Sequence, residues 1–170
     1  MIDLKIKLIE GGILPKKSTE HAAGFDVYAR KIEWNPIHGY EEIFLGFATE
    51  IPIGYRAILI PRSSLTKYSW CMPQGQGLID SDYRDEWVLR LKPLPGVYNK
   101  VVITNEIDTD DREVMPRMLK TFYNDTSLIP YTIGDRVGQF YIEKEIETNI
   151  IVVDELSKTK RKGGFGSTGK

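Results

Sequence analysis

The chain has 170 residues, of which 23 are Lys or Arg and 24 Asp or Glu, so its formal net charge is -1. That length fits one domain, or one domain with an insertion, around a real core. The charge balance argues against a general nucleic-acid binder, which needs surplus positive charge to displace counterions.

Ile2, Leu4, Ile6 and Leu8 alternate with Asp3, Lys5 and Lys7, the period of a half-buried strand. Further short runs predict strands at Asp26–Ile32, Glu42–Glu50, Tyr55–Ile60, Trp87–Leu91, Val101–Asn105, Val137–Glu143 and Asn149–Val153. Breakers such as Asn35-Pro36, Pro52-Ile53-Gly54, Pro93-Leu94-Pro95-Gly96 and Ile133-Gly134-Asp135 separate them. Many short strands at this spacing predict an all-β sandwich or barrel. The exception is Asp110–Asn124, where Val114, Met118, Leu119 and Phe122 fall at helical spacing, and Pro95–Tyr131 reads as an inserted excursion carrying a strand and a short helix. Cys71 is the one cysteine, which excludes an intramolecular disulfide or a cysteine zinc site. With no signal-like start and no run of membrane-spanning length, the expectation is a soluble cytoplasmic protein, in the host cytoplasm if the source is viral, with no nucleic-acid or membrane partner.

The last eight residues, Gly163-Gly164-Phe165-Gly166-Ser167-Thr168-Gly169-Lys170, put one aromatic plate and two hydroxyls on a glycine-rich arm. Backbone without Cβ approaches anions closely, and the hydroxyls add donors, so the arm could close over a phosphorylated ligand. Gly164 to Lys170 also fits the spacing G-x-x-x-x-G-K, but a P-loop requires a strand before it and a Ser/Thr and a helix after the Lys, a context this segment does not offer. A frayed terminus is the other reading of such a tail. Lys158, Lys160, Arg161 and Lys162 stand beside it, either as a solvated basic linker or as a polyphosphate clamp.

The densest polar run is Gly77-Leu78-Ile79-Asp80-Ser81-Asp82-Tyr83-Arg84-Asp85-Glu86. Asp80 leaves a strand where a carboxylate could take a proton from water, and Tyr83 offers a flat face to a sugar. Ile60-Pro61-Arg62-Ser63-Ser64-Leu65 ends a strand with a guanidinium fork and two hydroxyls suited to phosphate oxygens. Gly134-Asp135-Arg136-Val137-Gly138-Gln139 adds an Arg and an amide, and in Ala23-Gly24-Phe25-Asp26-Val27 the carboxylate is either a buried turn acid or an outer-shell magnesium partner. Each run alone is also an ordinary turn. His21 and His38 are too few and too isolated for a metal site or triad. No Ser or Cys has a base and orienter in a recognisable pattern, which argues against covalent catalysis.

In this order and spacing the five segments closely resemble the five motifs of the trimeric dUTPase family, from residue 23 to 169. The resemblance implies a jelly-roll-like β-barrel or sandwich, a homotrimer with sites at subunit interfaces, and Mg²⁺-dependent hydrolysis of dUTP to dUMP and pyrophosphate. Such a reaction limits uracil in DNA and supplies dUMP for thymidylate synthesis. Residues 1–157 would form the domain, with its insertion at about 95–131, and 158–170 the arm. By the same resemblance Asp80 is the base acting on the attacking water, and Tyr83 stacks under the deoxyribose and excludes a 2′-hydroxyl. Arg62, Ser63 and Ser64 hold the phosphate chain, Gln139 contacts phosphates or water, and Arg136 supports that site. Backbone groups of Leu78, Ile79, Asp80 and Val88, on a hairpin that includes Gln74, read uracil. Phe165 covers the base, while Gly166, Ser167 and Thr168 close on the phosphates, with Lys160 or Arg161 as the nearby cation. Asp26 touches Mg²⁺ only through water, which suits a cation that keeps several waters.

The chain departs from the motifs at Ser64, where Gly is usual, at Gly138, where Ala is usual, at Asp85, where Gly is usual, and at Lys160-Arg161-Lys162, where an Arg-Gly pair is expected. The Arg-Ser-Ser-Leu string is also reminiscent of dCTP deaminases of the same fold, but these use a Glu where this chain has Arg90. A third reading is a nucleotide-switched binding protein that docks a partner through the 95–131 insertion.

Overall fold

The structure is a computed structural model that describes residues 2–94 and 129–160. Among the described residues ten strands run in chain order: β1 (Lys5–Leu8), β2 (Phe25–Tyr28), β3 (Lys31–Asn35), β4 (Tyr40–Phe44), β5 (Phe47–Glu50), β6 (Tyr55–Pro61), β7 (Trp70–Cys71), β8 (Gly77–Ile79), β9 (Val88–Pro93) and β10 (Arg136–Lys144). A 3-10 turn, Ser63–Lys67, follows β6. The strands form two four-stranded sheets, ordered β2-β10-β6-β8 and β3-β4-β9-β7, and a two-stranded β1-β5 ribbon. Every named pairing is antiparallel, as expected for two sheets that each face a shared core on one side. No helix among the described residues is long and apolar enough to cross a membrane.

The core between the sheets is aromatic at its centre. Phe47, Trp87 and Phe140 are fully buried, with ring centroids 5.1 Å apart for Phe47–Trp87 and 5.0 Å for Trp87–Phe140. Val27, Ile43, Leu89, Leu91 and Val137 fill the space around them from both sheets. On β9, buried Leu89 and Leu91 flank exposed Arg90, so the strand's alternation decides which side chains meet the core and which leave it.

Two predicted strands are divided. Asp26–Ile32 breaks at Ala29-Arg30, where the chain crosses between sheets: Ala29 N–H donates to Asp135 O at 2.9 Å, and Arg30 N–H donates to Phe44 O at 2.8 Å. Glu42–Glu50 breaks at Leu45-Gly46, because Gly46 adopts φ +76 and its neighbour Gly12 comes so near that a Cβ there would lie 2.0 Å from Gly46 O. The predicted strand Asn149–Val153 does not form. Among the described residues no strand pairs with it to satisfy its backbone, and Ile150, Ile151, Val152 and Val153 stay exposed. The predicted Val101–Asn105 strand and Asp110–Asn124 helix lie outside the described residues, as do Arg161, Phe165, Gly166, Ser167 and Thr168.

Candidate active site

The third sequence segment folds around a cleft. Strand β8 carries Leu78 and Ile79 on the edge of its sheet, Asp80 leaves that strand, and a turn closes with Tyr83 N–H donating to Asp80 O at 3.2 Å. The Tyr83 hydroxyl donates to Glu86 O at 3.3 Å, fixing the ring beside the chain that enters β9. Burial pushes the Tyr83 phenol up, with the neighbouring Asp85 adding to the shift. The result is a cleft of about 260 Å³ lined by Gln74, Leu78, Ile79, Asp80, Tyr83, Trp87, Val88 and Arg90. Its walls alternate carboxylate, aromatic face and strand backbone, which is chemistry suited to a base with a sugar.

Glu86 anchors this region. Its carboxylate accepts from Arg30 Nε at 2.9 Å and Nη2 at 2.7 Å, and from the Gly46 N–H at 2.7 Å. Burial pushes the Glu86 carboxyl up, but these donors outweigh it and hold the group below the ordinary carboxylate range. The hydrogen bond to Glu86 raises Arg30 in turn.

A second cluster lies on strands β2, β6 and β10. Arg62 Nη1 donates to Arg136 O at 3.2 Å, and Arg136 Nη1 donates to Asp26 Oδ2 at 3.3 Å. Gln139 stands opposite Asp26 in the β10–β2 register. Ser63 opens the 3-10 turn that buried Leu65 anchors, and the Thr66 hydroxyl donates to Ser63 O at 2.8 Å, so Ser63 and Ser64 follow Arg62 in a fixed curve. Asp26 is one carboxylate bound to one guanidinium; among the described residues no group of three or more His, Cys, Asp or Glu is placed to hold a metal ion.

These two clusters do not meet within one chain. Ala57 pairs with Ile79, so Asp80 follows on from that register beside Arg56, whereas Arg62 lies six residues farther along the same strand direction. At the rise of an extended chain that is roughly 20 Å. Gln139, opposite Ile60, is likewise well along β6 from Asp80.

Most sequence-predicted residues therefore fall into two sets: Gln74, Leu78, Ile79, Asp80, Tyr83 and Val88 around the cleft, and Asp26, Arg62, Ser63, Ser64, Arg136 and Gln139 at the other end of β6. Lys160 is exposed and remote in sequence from both. His21 and His38 are exposed, the latter stacked on Tyr40 with ring centroids 5.6 Å apart. The sequence reading missed Trp87 and Arg90 as lining residues. Trp87 reads as core, which it also is, and the alternation around Arg90 marks only an outward-facing position.

A family model for dUTPase matches residues 10–91. The chain is 33% identical to the deoxyuridine 5'-triphosphate nucleotidohydrolase of Yarrowia lipolytica over 99% of this chain and 90% of that protein. It is 31% identical to the enzyme of that name from Paramecium bursaria Chlorella virus 1, over 96% of this chain and 94% of the relative. Among solved structures, a Staphylococcus bacteriophage 80alpha dUTPase variant with dUpNHpp matches at a TM-score of 0.67 and 20% identity, covering 99% of each chain. A phage phi11 dUTPase variant, described with a structural Mg(II) ion, matches at a TM-score of 0.62 and 20% identity over 91% of this chain and 98% of that one. With relatives of this identity aligned along nearly their whole length, and the fold shared, the chain belongs to the dUTPase family.

Proposed function

We infer that this protein hydrolyses dUTP to dUMP and pyrophosphate through attack of water on the α-phosphorus. The observation that carries the reading is the convergence of Asp80, Tyr83, Val88 and the Leu78-Ile79 backbone on one cleft, in a chain whose relatives are dUTP nucleotidohydrolases. Asp80 takes the proton from the attacking water, and Tyr83 supports the deoxyribose where a 2′-hydroxyl would need room. Backbone groups of Leu78, Ile79, Asp80 and Val88 read the pyrimidine edge, with Gln74 on the same hairpin.

Arg62, Ser63 and Ser64 hold the phosphate chain, Gln139 contacts phosphates or water, and Arg136 braces the group through Asp26. Because this cluster lies roughly 20 Å from Asp80 along β6, a complete site takes its two halves from different copies. A homotrimer with shared sites supplies that arrangement. The exposed Ile150, Ile151, Val152 and Leu156 give such an assembly apolar surface to bury.

The single carboxylate of Asp26, paired with Arg136, would meet Mg²⁺ through water, with the triphosphate oxygens as the main ligands, and the ion would supply positive charge that offsets the phosphates. In this reading residues 1–157 are the domain, and 158–170 close over the bound nucleotide through Phe165, Gly166, Ser167 and Thr168, with Lys160 or Arg161 on the phosphates. Strand β9 ends at Pro93 and Ile129 is buried in the core, and the 95–131 insertion is the segment assigned to an added protein partner. The compartment is the cytoplasm, where the lone thiol of Cys71 stays reduced. The deaminase alternative is not favoured: the relatives are hydrolases, and the position of the deaminase acid holds Arg90.

Pyrophosphate release from dUTP, UTP, dTTP and dCTP tests the reading. Turnover of dUTP well above the other three is expected, and equal turnover of all four would overturn it.

A further inference from the structure

Among the described residues Arg90 is the one cation lining the nucleotide cleft, and none of the roles assigned above uses it. It stands on β9 two residues beyond Val88, on the same outward side of the strand. Its guanidinium is held in place: Nε donates to Glu42 Oε1 at 3.0 Å, Nη2 forms an ion pair with the same oxygen at 2.9 Å, and its centre lies 5.0 Å from the Tyr40 ring centroid. Neither contact involves Nη1. A guanidinium already oriented by a carboxylate and an aromatic face loses little freedom when it takes one more acceptor.

The direction of β9 relates this donor to the substrate. The Tyr83 hydroxyl is bonded at Glu86 O, just before the strand, and Arg90 lies four residues farther on, roughly 13 Å along an extended chain. With the sugar resting on Tyr83 and the base lying toward Val88, the base's edge farthest from the sugar points toward Arg90. In a pyrimidine nucleoside that edge carries the group at position 4. Uracil has a carbonyl there, an acceptor; cytosine has an amine, which would set a donor against a donor.

We propose that Arg90 is a specificity residue that donates a hydrogen bond to the 4-carbonyl of the uracil ring, so that this chain selects uracil over cytosine by a side chain as well as by strand backbone. The proposal rests on the dUTP hydrolase reading above. Its test compares dUTP with the triphosphate of the 2-pyrimidinone deoxyriboside, which has hydrogen in place of the 4-oxygen and also lacks the N3 hydrogen, so the effect of Arg90 is read from how the ratio changes between parent and variant.

Values of kcat/KM for both substrates are measured in the parent and in Arg90→Met, with dCTP as a third substrate. The variant is expected to lower the dUTP-to-analogue ratio by roughly tenfold or more, carried by KM, because a charged hydrogen bond is lost for one substrate only. The dUTP-to-dCTP preference should narrow with it. Equal loss on both substrates would make Arg90 merely structural and overturn the proposal, as would an unchanged ratio. Arg90→Lys, which keeps charge but loses the fork, reads the same ratio should Arg90→Met fold poorly, and an undiminished ratio there also counts against it. A parent inert toward dUTP would overturn the hydrolase reading instead; calorimetry with a non-hydrolysable dUTP analogue and its 4-deoxo counterpart would still read the effect of Arg90 on binding.

Discussion

The two ends of β6 carry different kinds of surface. At the Asp80 end a cleft is already enclosed by a hairpin, an aromatic ring and the outward side of β9, and beside strand backbone its polar side chains include the Asp80 carboxylate, the Gln74 amide and the Arg90 guanidinium. At the Arg62 end there is an open patch of guanidinium, hydroxyl and amide groups braced on Asp26. A base and sugar need a shaped, partly apolar slot, whereas a phosphate chain needs donors on a surface that water and a cation can reach. One chain builds both surfaces well, and its own geometry keeps them apart.

The largest test of that division is Asp80→Asn, which keeps size and hydrogen bonding but cannot accept a proton. Turnover of dUTP should fall by roughly two to four orders of magnitude, with affinity for a non-hydrolysable analogue little changed. Arg62→Ala should also be poorly active, for lack of phosphate grip. If sites are shared, unfolding and reassembling the two variants together at equal ratio should restore activity at about one quarter of the sites, the statistical share that pairs an intact half from each. A mixture no more active than its components would place both halves in one chain.

Stability should separate the two sheets by pH. Glu41, on β4 of the sheet that carries β9, is 4% exposed, and burial raises its carboxyl to about 7. The fold favours the neutral acid, so this group opposes folding little below the ordinary carboxylate range and costs stability increasingly as pH rises toward and through 7. Glu41→Gln should therefore gain about 1–3 kcal/mol relative to the parent at pH 8 and little at pH 4, read by denaturant unfolding. A gain that does not depend on pH would mean that Glu41 is not held neutral.

On the phosphate side the matching change is Gly138→Ala. A Cβ there would lie 2.9 Å from Ile60 O and 3.3 Å from Val27 Cγ2, so β10 must shift against β6. A loss of about 1–2 kcal/mol is expected by thermal or denaturant melting, with the cleft's base selectivity unchanged. Retained stability would show that this end gives way more easily than its backbone contacts indicate.

Tyr83→Ala should have the smallest effect, and it acts only on the cleft. Removing the ring makes room as well as removing packing, so dUTP hydrolysis should weaken while the dUTP-to-UTP preference narrows by roughly tenfold. An unchanged ratio would remove Tyr83 from sugar discrimination.

Local pattern by itself determined much of this protein. Alternation and turn residues located the strand-forming runs, and the order of the five polar segments identified the family, because strand period and close phosphate chemistry are written over a few neighbouring residues. That Asp80 and Tyr83 lie close together was legible for the same reason: they share one turn. What lies between distant segments was decided only by the tertiary structure. Gly12 and Gly46, far apart in sequence, approach so closely that a predicted single strand becomes β4 and β5. Asn149–Val153 has strand character but finds no neighbour in the described fold, and a strand without a partner leaves its backbone groups to water. Arg90 reads in sequence as one more exposed charge; Glu42 and Tyr40, brought beside it by strand pairing, hold it at the cleft. The separation of Asp80 from Arg62 is likewise a matter of register, since the pairing of β8 with β6 sets which end of a strand each one occupies.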